Sequence, residues 1–223
     1  MEQHYKILMV DDHPMIIEGY QNTLLATKKD SQHLDIDIAS NCDMANDLIK
    51  RSANAQPYDV CFFDIKLPPS SDGMITSGED LAKIARVYLP DAKIVILTMF
   101  NESYRIHNII KEIHPEGLLI KSDLTSSELA EAFQHILQSP PYYSSTVQSF
   151  VSTTITSDIH VDDVNRKILY LLSQGVKTKS LKEYIDLSMS AIEKRKKHLK
   201  LLFSVEDGKD ETLLEEARKK GFI

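Results

Sequence analysis

The sequence predicts an α/β fold: a five-stranded parallel, doubly wound sheet over residues 1–138, followed by a small all-α unit over residues 161–223. Three observations lead there. Five short β-rich runs alternate with five segments of helical period. Two of those runs contain "KIVIL" and "CFF", apolar without alternation, as strands covered on both faces must be. From Val161 onward the chain reads as wholly helical.

The strands are "KILMV" (6–10), "DIDIAS" (35–40), "DVCFFD" (59–64), "AKIVILT" (92–98) and "EGLLIK" (116–121). Helical segments lie near 14–28, 43–54, 78–89, 102–113 and 125–138. Pro14 suits a first helical turn. In the last segment Leu129, Phe133, Ile136 and Leu137 repeat at helical spacing. Pro140 and Pro141 then stop the pattern. Residues 139–160 are Ser/Thr-rich without helical period and read as a linker, with local strand character around Phe150 to Ile155. Four helices follow at 161–174, 177–185, 188–203 and 210–220, with turns at Gly175, Asp186-Leu187-Ser188 and Asp207-Gly208.

Composition narrows the class of protein. Hydrophobic residues make up 42% and charged residues 26%, an ordinary globular balance. No apolar run reaches bilayer length, no signal-peptide pattern opens the chain, and a cytoplasmic setting is expected. Cys42 and Cys61 lack metal-ligand spacing and read as packed thiols. The net charge of −7 divides unevenly, −9 over residues 1–157 and +2 over 158–223. An acidic half joined to a mildly basic one suggests two units with different partners.

Ligand sites of parallel α/β sheets lie beyond the carboxyl ends of the strands. Asp11 and Asp12 follow the first strand, Asp64 ends the third, Thr98 ends the fourth and Lys121 follows the fifth. All five should meet at one rim. Crowded carboxylates repel one another, and a hard divalent cation relieves the repulsion; Mg²⁺ suits a few carboxylates and keeps waters for a phosphate. A carboxylate can also be a nucleophile, giving an aspartyl phosphate, while an ammonium and a hydroxyl hold the equatorial oxygens. Singly, each residue has a blander role: turn former, helix cap or solvated charge. Their joint occurrence at successive strand ends favours a site.

"VDDHP", "FFDIKLP", "ILTM" and "LIKS" together resemble the receiver domains of two-component response regulators, a flavodoxin-like fold, over residues 5–138. The resemblance implies that Asp64 is the phosphoacceptor and that Asp11, Asp12, Asp64 and the backbone carbonyl of Lys66 hold Mg²⁺. It also implies that Thr98 senses the phosphoryl group, that Lys121 pairs with it, and that a sensor histidine kinase donates it. Two departures stand out: a long loop after Asp64, and Leu118 where the family usually has an aromatic residue. An Asp-nucleophile phosphatase would need a second acid at position 66, which is lysine here.

Residues 161–223 resemble the helix-turn-helix output domain of the LuxR/NarL class, through "ILYLLSQGVKTKSL", "DLSMSAIEKRKKHL" and "LLEEARKKGFI". A recognition helix at 188–203 would carry Lys194, Arg195, Lys196, Lys197 and Lys200 toward DNA. The resemblance implies a homodimer when phosphorylated and no membrane partner. Glu193 stands where a basic residue is common, which leaves open a helical half that binds protein instead of DNA.

Overall fold

The computed structural model describes residues 2–156 and 159–223. By internal contacts the chain divides into two compact units, 1–101 with 108–147, and 102–107 with 148–223.

The first unit is built on the parallel strands β1 (Gln3–Val10), β2 (Gln32–Ala39), β3 (Val60–Asp64), β4 (Lys93–Thr98) and β5 (Gly117–Ile120), joined by helices α1 (Pro14–Thr27), α2 (Cys42–Ala53), α3 (Gly78–Tyr88) and the later part of α4 (Ser103–Ile113), whose residues up to 107 are counted with the second unit. Helix α5 (Ser126–Gln138) closes the alternation. All ten expected elements are present. A short sixth strand, β6 (Tyr142–Tyr143), pairs parallel to β5 and extends the order to β2-β1-β3-β4-β5-β6. The five-stranded expectation is thus corrected by one edge strand.

The central strands are apolar because helices cover both faces. Phe62 and Phe63 alternate across β3, and both are buried. Phe62 packs with Ile7, Val95, Leu119, Leu129 and Phe133 in one core. Burial of each such side chain contributes about 1.5–3 kcal/mol. Local signals fix the helix starts: Asn41, Ser77 and Thr125 each accept a backbone N–H three residues on.

The expected linker is not irregular. It contains β6 and a helix, α6 (Ser145–Thr156), so the strand reading around Phe150 to Ile155 is wrong. Residues 157 and 158 of that segment lie outside the described residues. The head of α6 is held by a residue far back in the chain: Asp123 accepts from Thr146 N at 3.0 Å and from the hydroxyls of Ser144 and Thr146. The Ser144 hydroxyl also accepts from Ile120 N at the end of β5.

In the second unit, α7 (Asp163–Ser173), α8 (Met189–Leu202) and α9 (Asp210–Lys219) enclose Ile168, Leu169, Ile192, Leu199, Phe203, Leu213 and Phe222. Phe203 and Phe222 meet edge to face at 5.3 Å. The helix expected at 177–185 is a 3-10 helix, Thr178–Glu183, with Leu181 buried beneath it. Ser188 caps α8 by accepting from Ala191 N.

Candidate functional site

The sheet order reverses direction between β1 and β3, and a doubly wound sheet opens its ligand crevice at such a point. Asp11 follows β1 and Asp64 ends β3, so the acids flank that crevice. The carboxylates do not serve as caps for α1. His13 occupies the cap position and its side chain makes no capping bond.

Lys121 ties the pocket together. Its ammonium lies 2.6 Å from Asp11 Oδ2 and 2.9 Å from Asp64 Oδ2, and all three side chains are at least nine-tenths buried. Lys121 is placed by its own backbone N–H, which donates to the Thr98 carbonyl at 2.7 Å. Thr98 is fully buried, and its hydroxyl accepts from Phe100 N at 3.0 Å. Strand pairing sets Asp64 beside Leu97, the residue before Thr98, so Thr98 stands one step beyond Asp64 in the register.

Burial pushes the Asp64 carboxyl above its ordinary range. Lys121 and the Lys66 backbone N–H pull it down, Asp11 adds to the rise, and burial prevails. Burial also pushes the Tyr20 phenol up to about 12, helped by Asp11 and Asp64.

Ligand atoms of Asp11, Asp12, His13 and Asp64 lie within 4.8 Å of one another, an acidic cluster able to hold a metal ion. Asp12 Oδ1 is buried and accepts no hydrogen bond, although His13 Nδ1 lies 2.6 Å away. An orphaned carboxylate oxygen beside two other carboxylates is the donor set a hard cation takes. A cavity of about 500 Å³ opens beside the cluster, lined by His13, Asp64, Lys66, Met99, Phe100 and Lys121 among others.

Two residues of the pocket escaped sequence reasoning. His13 stood in the quoted "VDDHP" without a role of its own. Gly78 begins α3, and a Cβ there would lie 1.9 Å from the Asp64 carbonyl oxygen. Only glycine lets α3 start against the Asp64 backbone. Leu118 is fully buried and continues β5 beside Ile96 and Tyr143. The long loop after Asp64 is tied down by its own contacts: Ser71 N donates to Asp43 at 2.9 Å, Ser70 bonds Asp72, and Ile75 is buried.

The basic helix α8 uses three of its five cations internally. Lys196 is buried, its ammonium 2.6 Å from Thr178 Oγ1 and 2.7 Å from Asp210 Oδ2. That correction has a simple cause: Lys196 follows the inward stripe set by Ile192 and Leu199. Arg195 pairs with Asp162 at 2.8 Å and bonds Asn165, and Lys200 pairs with Asp210 at 2.6 Å and bonds the Gly208 carbonyl. Lys194 and Lys197 are exposed and, among the described residues, make no such pair.

A parallel α/β sheet with an acidic rim at its switch point is the architecture of a receiver module, and the chain belongs to the response regulator receiver domain family, which matches residues 7–134. Among curated relatives, the oxygen regulatory protein NreC of Staphylococcus epidermidis is 24% identical over 207 residues, covering 87% of this chain and 88% of that protein. NreC of Staphylococcus carnosus is likewise 24% identical, over 206 residues. Among solved structures, RcsB from Salmonella enterica serovar Typhimurium, bound to a promoter in the presence of phosphomimetic BeF3−, superimposes with a TM-score of 0.61 at 18% identity, over 96% of this chain and 98% of that one. A LuxR-family response regulator from Aurantimonas superimposes at 0.55 with 22% identity, over 70% of this chain and 100% of its own. Among the described residues no helix is long and apolar enough to cross a membrane.

Proposed function

We propose that this chain is a DNA-binding response regulator whose Asp64 accepts a phosphoryl group from a sensor histidine kinase. The observation that carries the proposal is the Lys121 ammonium held between Asp11 and Asp64 at 2.6 and 2.9 Å. An Asp64 oxygen attacks phosphorus, the bond to the donor imidazole nitrogen breaks, and the imidazole leaves with that electron pair. Lys121, already in contact with Asp64, neutralises the transferred oxygens. The Thr98 hydroxyl is free to exchange its bond from Phe100 N for one to the phosphoryl group. Asp11, Asp12, Asp64 and the Lys66 carbonyl would hold Mg²⁺, with His13 beside them. Bound there, Mg²⁺ supplies positive charge against the incoming phosphoryl group.

The phosphorylated form then favours a DNA-competent homodimer. The supports are the family, the helix-turn-helix order in the second unit, the exposed Lys194 and Lys197, and solved relatives titled as RcsB dimers bound to DNA. We take residues 1–138 as the phosphoacceptor part and 161–223 as the DNA-binding part. Acetyl phosphate with Mg²⁺ should label wild type and leave Asp64→Asn unlabelled. The labelled chain should retard promoter fragments from the gene's own neighbourhood more than the unlabelled chain, and less so at higher salt. A second reading, an output unit that binds protein, is favoured by the internal use of three cations and by exposed Glu193. It predicts no retardation even at low salt.

A further inference from the structure

The free face of α8 is narrower and chemically more mixed than its sequence suggests. Ile192, Lys196 and Leu199 point inward, and Arg195 and Lys200 are spent on Asp162, Asp210 and the Gly208 carbonyl. What remains exposed is Ser190, Glu193, Lys194, Lys197, His198 and Leu201. Glu193 lies on one margin of that ridge, one residue from Lys194 and four from Lys197. Among the described residues its carboxylate has no hydrogen bond and no ion pair, even to Lys197 at the spacing that most favours one.

An unpaired carboxylate is a poor choice for a surface that only needs to attract phosphates. Each approach to the DNA backbone would be opposed by Coulomb repulsion. The carboxylate becomes favourable only if it accepts from a base donor. In the major groove, guanine and thymine present acceptors at O6 and O4, which repel it. Adenine presents its N6 donor next to the N7 acceptor. Cytosine presents the N4 amine with no neighbouring acceptor on its own edge. We infer that Glu193 is a specificity-determining residue that selects a cytosine within the operator by accepting from its N4 amine, while Lys194 and Lys197 supply the sequence-independent attraction.

This inference rests on the DNA-binding proposal, and the experiment separates the two. The full-length chain, treated with acetyl phosphate and Mg²⁺, is used to select duplexes from a pool with a randomised core. Wild type, Glu193→Ala and Glu193→Gln are compared, and each is then titrated with the selected duplex and with duplexes changed at single positions. Glu193 has no partner in the fold, so both variants should keep wild-type helicity and melting.

The expected result is one position per half-site where wild type prefers C·G over the other pairs by about ten- to a hundredfold. Glu193→Ala should lose that preference at that position alone while binding unrelated duplex somewhat tighter. Glu193→Gln should shift the preference toward adenine, which an amide reads in bidentate fashion. Should Glu193→Ala tighten all duplexes equally and select the same sequences, Glu193 is only a repulsive charge and the inference falls, with DNA binding intact. Failure of wild type to bind any duplex at low salt removes the DNA-binding proposal and this inference together.

Discussion

Replacing Gly78 with alanine puts the junction of β3 and α3 under direct test. A Cβ on that residue would sit 1.9 Å from the Asp64 carbonyl oxygen, 2.8 Å from its carbon and 3.2 Å from the Ile65 Cα. A carbon-to-oxygen contact needs about 3.3 Å. Helix α3 and the end of β3 must therefore part by about 1.4 Å. The obstructing atoms are all backbone, so no side-chain rotation relieves them. The bond from Gly78 N to the Ile65 carbonyl, 3.1 Å long, would stretch as well. Overpacking of this kind costs about 3 kcal/mol, at the upper end of the usual range. In a chain of this size that lowers the melting temperature by roughly 6–12 °C. A shift of about 1 Å in a reacting group can slow chemistry by about a hundredfold. Thermal melting and the rate of labelling by acetyl phosphate measure both effects. Gly19→Ala is the matched control, because a Cβ at this exposed position in α1 meets nothing within 4 Å. It should stabilise by about 0.5–1 kcal/mol. A Gly78→Ala chain that melts and labels like wild type would show that the junction is looser than its geometry states.

Further expectations concern the cation cluster, the two helix ends and the basic helix. A saturating divalent cation should raise stability by about 2.7 kcal/mol at a hundred times its dissociation constant, and Asp12→Ala should abolish most of that gain in a melting titration. Asp210→Ala should cost about 2–3 kcal/mol in urea unfolding, because it strands the buried Lys196 ammonium; the figure is kept below that of a fully buried pair since Asp210 is 33% exposed. Lys194→Gln and Lys197→Gln should each lower the salt slope of DNA binding by about 1, whereas Lys200→Gln should leave it nearly unchanged. Asp123 gives a pH-dependent test. Burial would raise its carboxyl, but bonds from Ser144 and Thr146 outweigh that and hold it below the ordinary range. Its stabilisation is therefore present above the ordinary carboxylate pKa and lost as pH falls through the lowered one. The stability gap between wild type and Asp123→Ala, followed by urea titration, should close on acidification; a gap that stays constant would contradict the assignment.

What could be read from the sequence was set by neighbours along the chain. Strands β1, β3, β4 and β5 announced themselves through apolar runs and β2 through the alternating "DIDIAS", and Asp11, Asp12, Asp64 and Lys121 were legible because each follows an apolar run. Helix α6 was hidden because its stabilising partner, Asp123, lies more than twenty residues upstream of the Thr146 amide it caps. The two-residue β6 is too short to carry a period of its own. The charges of α8 misled for the same reason. Asp162, Gly208 and Asp210 are distant in sequence, so nothing local shows that Arg195, Lys196 and Lys200 are already engaged. Gly78 looked like an ordinary helix start until the Asp64 carbonyl was placed against it.

Asp64 ends a strand with hydrogen-bonded neighbours on both sides and two buried faces. Its amide and those before it should exchange with solvent only when the whole unit opens, among the slowest in the chain. As the proposed acceptor, a residue anchored so firmly would have little freedom to travel after modification. The proposed signal would then be expressed by lighter parts at the crevice mouth, such as the Thr98 hydroxyl, the Lys121 side chain and the Met99-Phe100 turn, rotating around a fixed post.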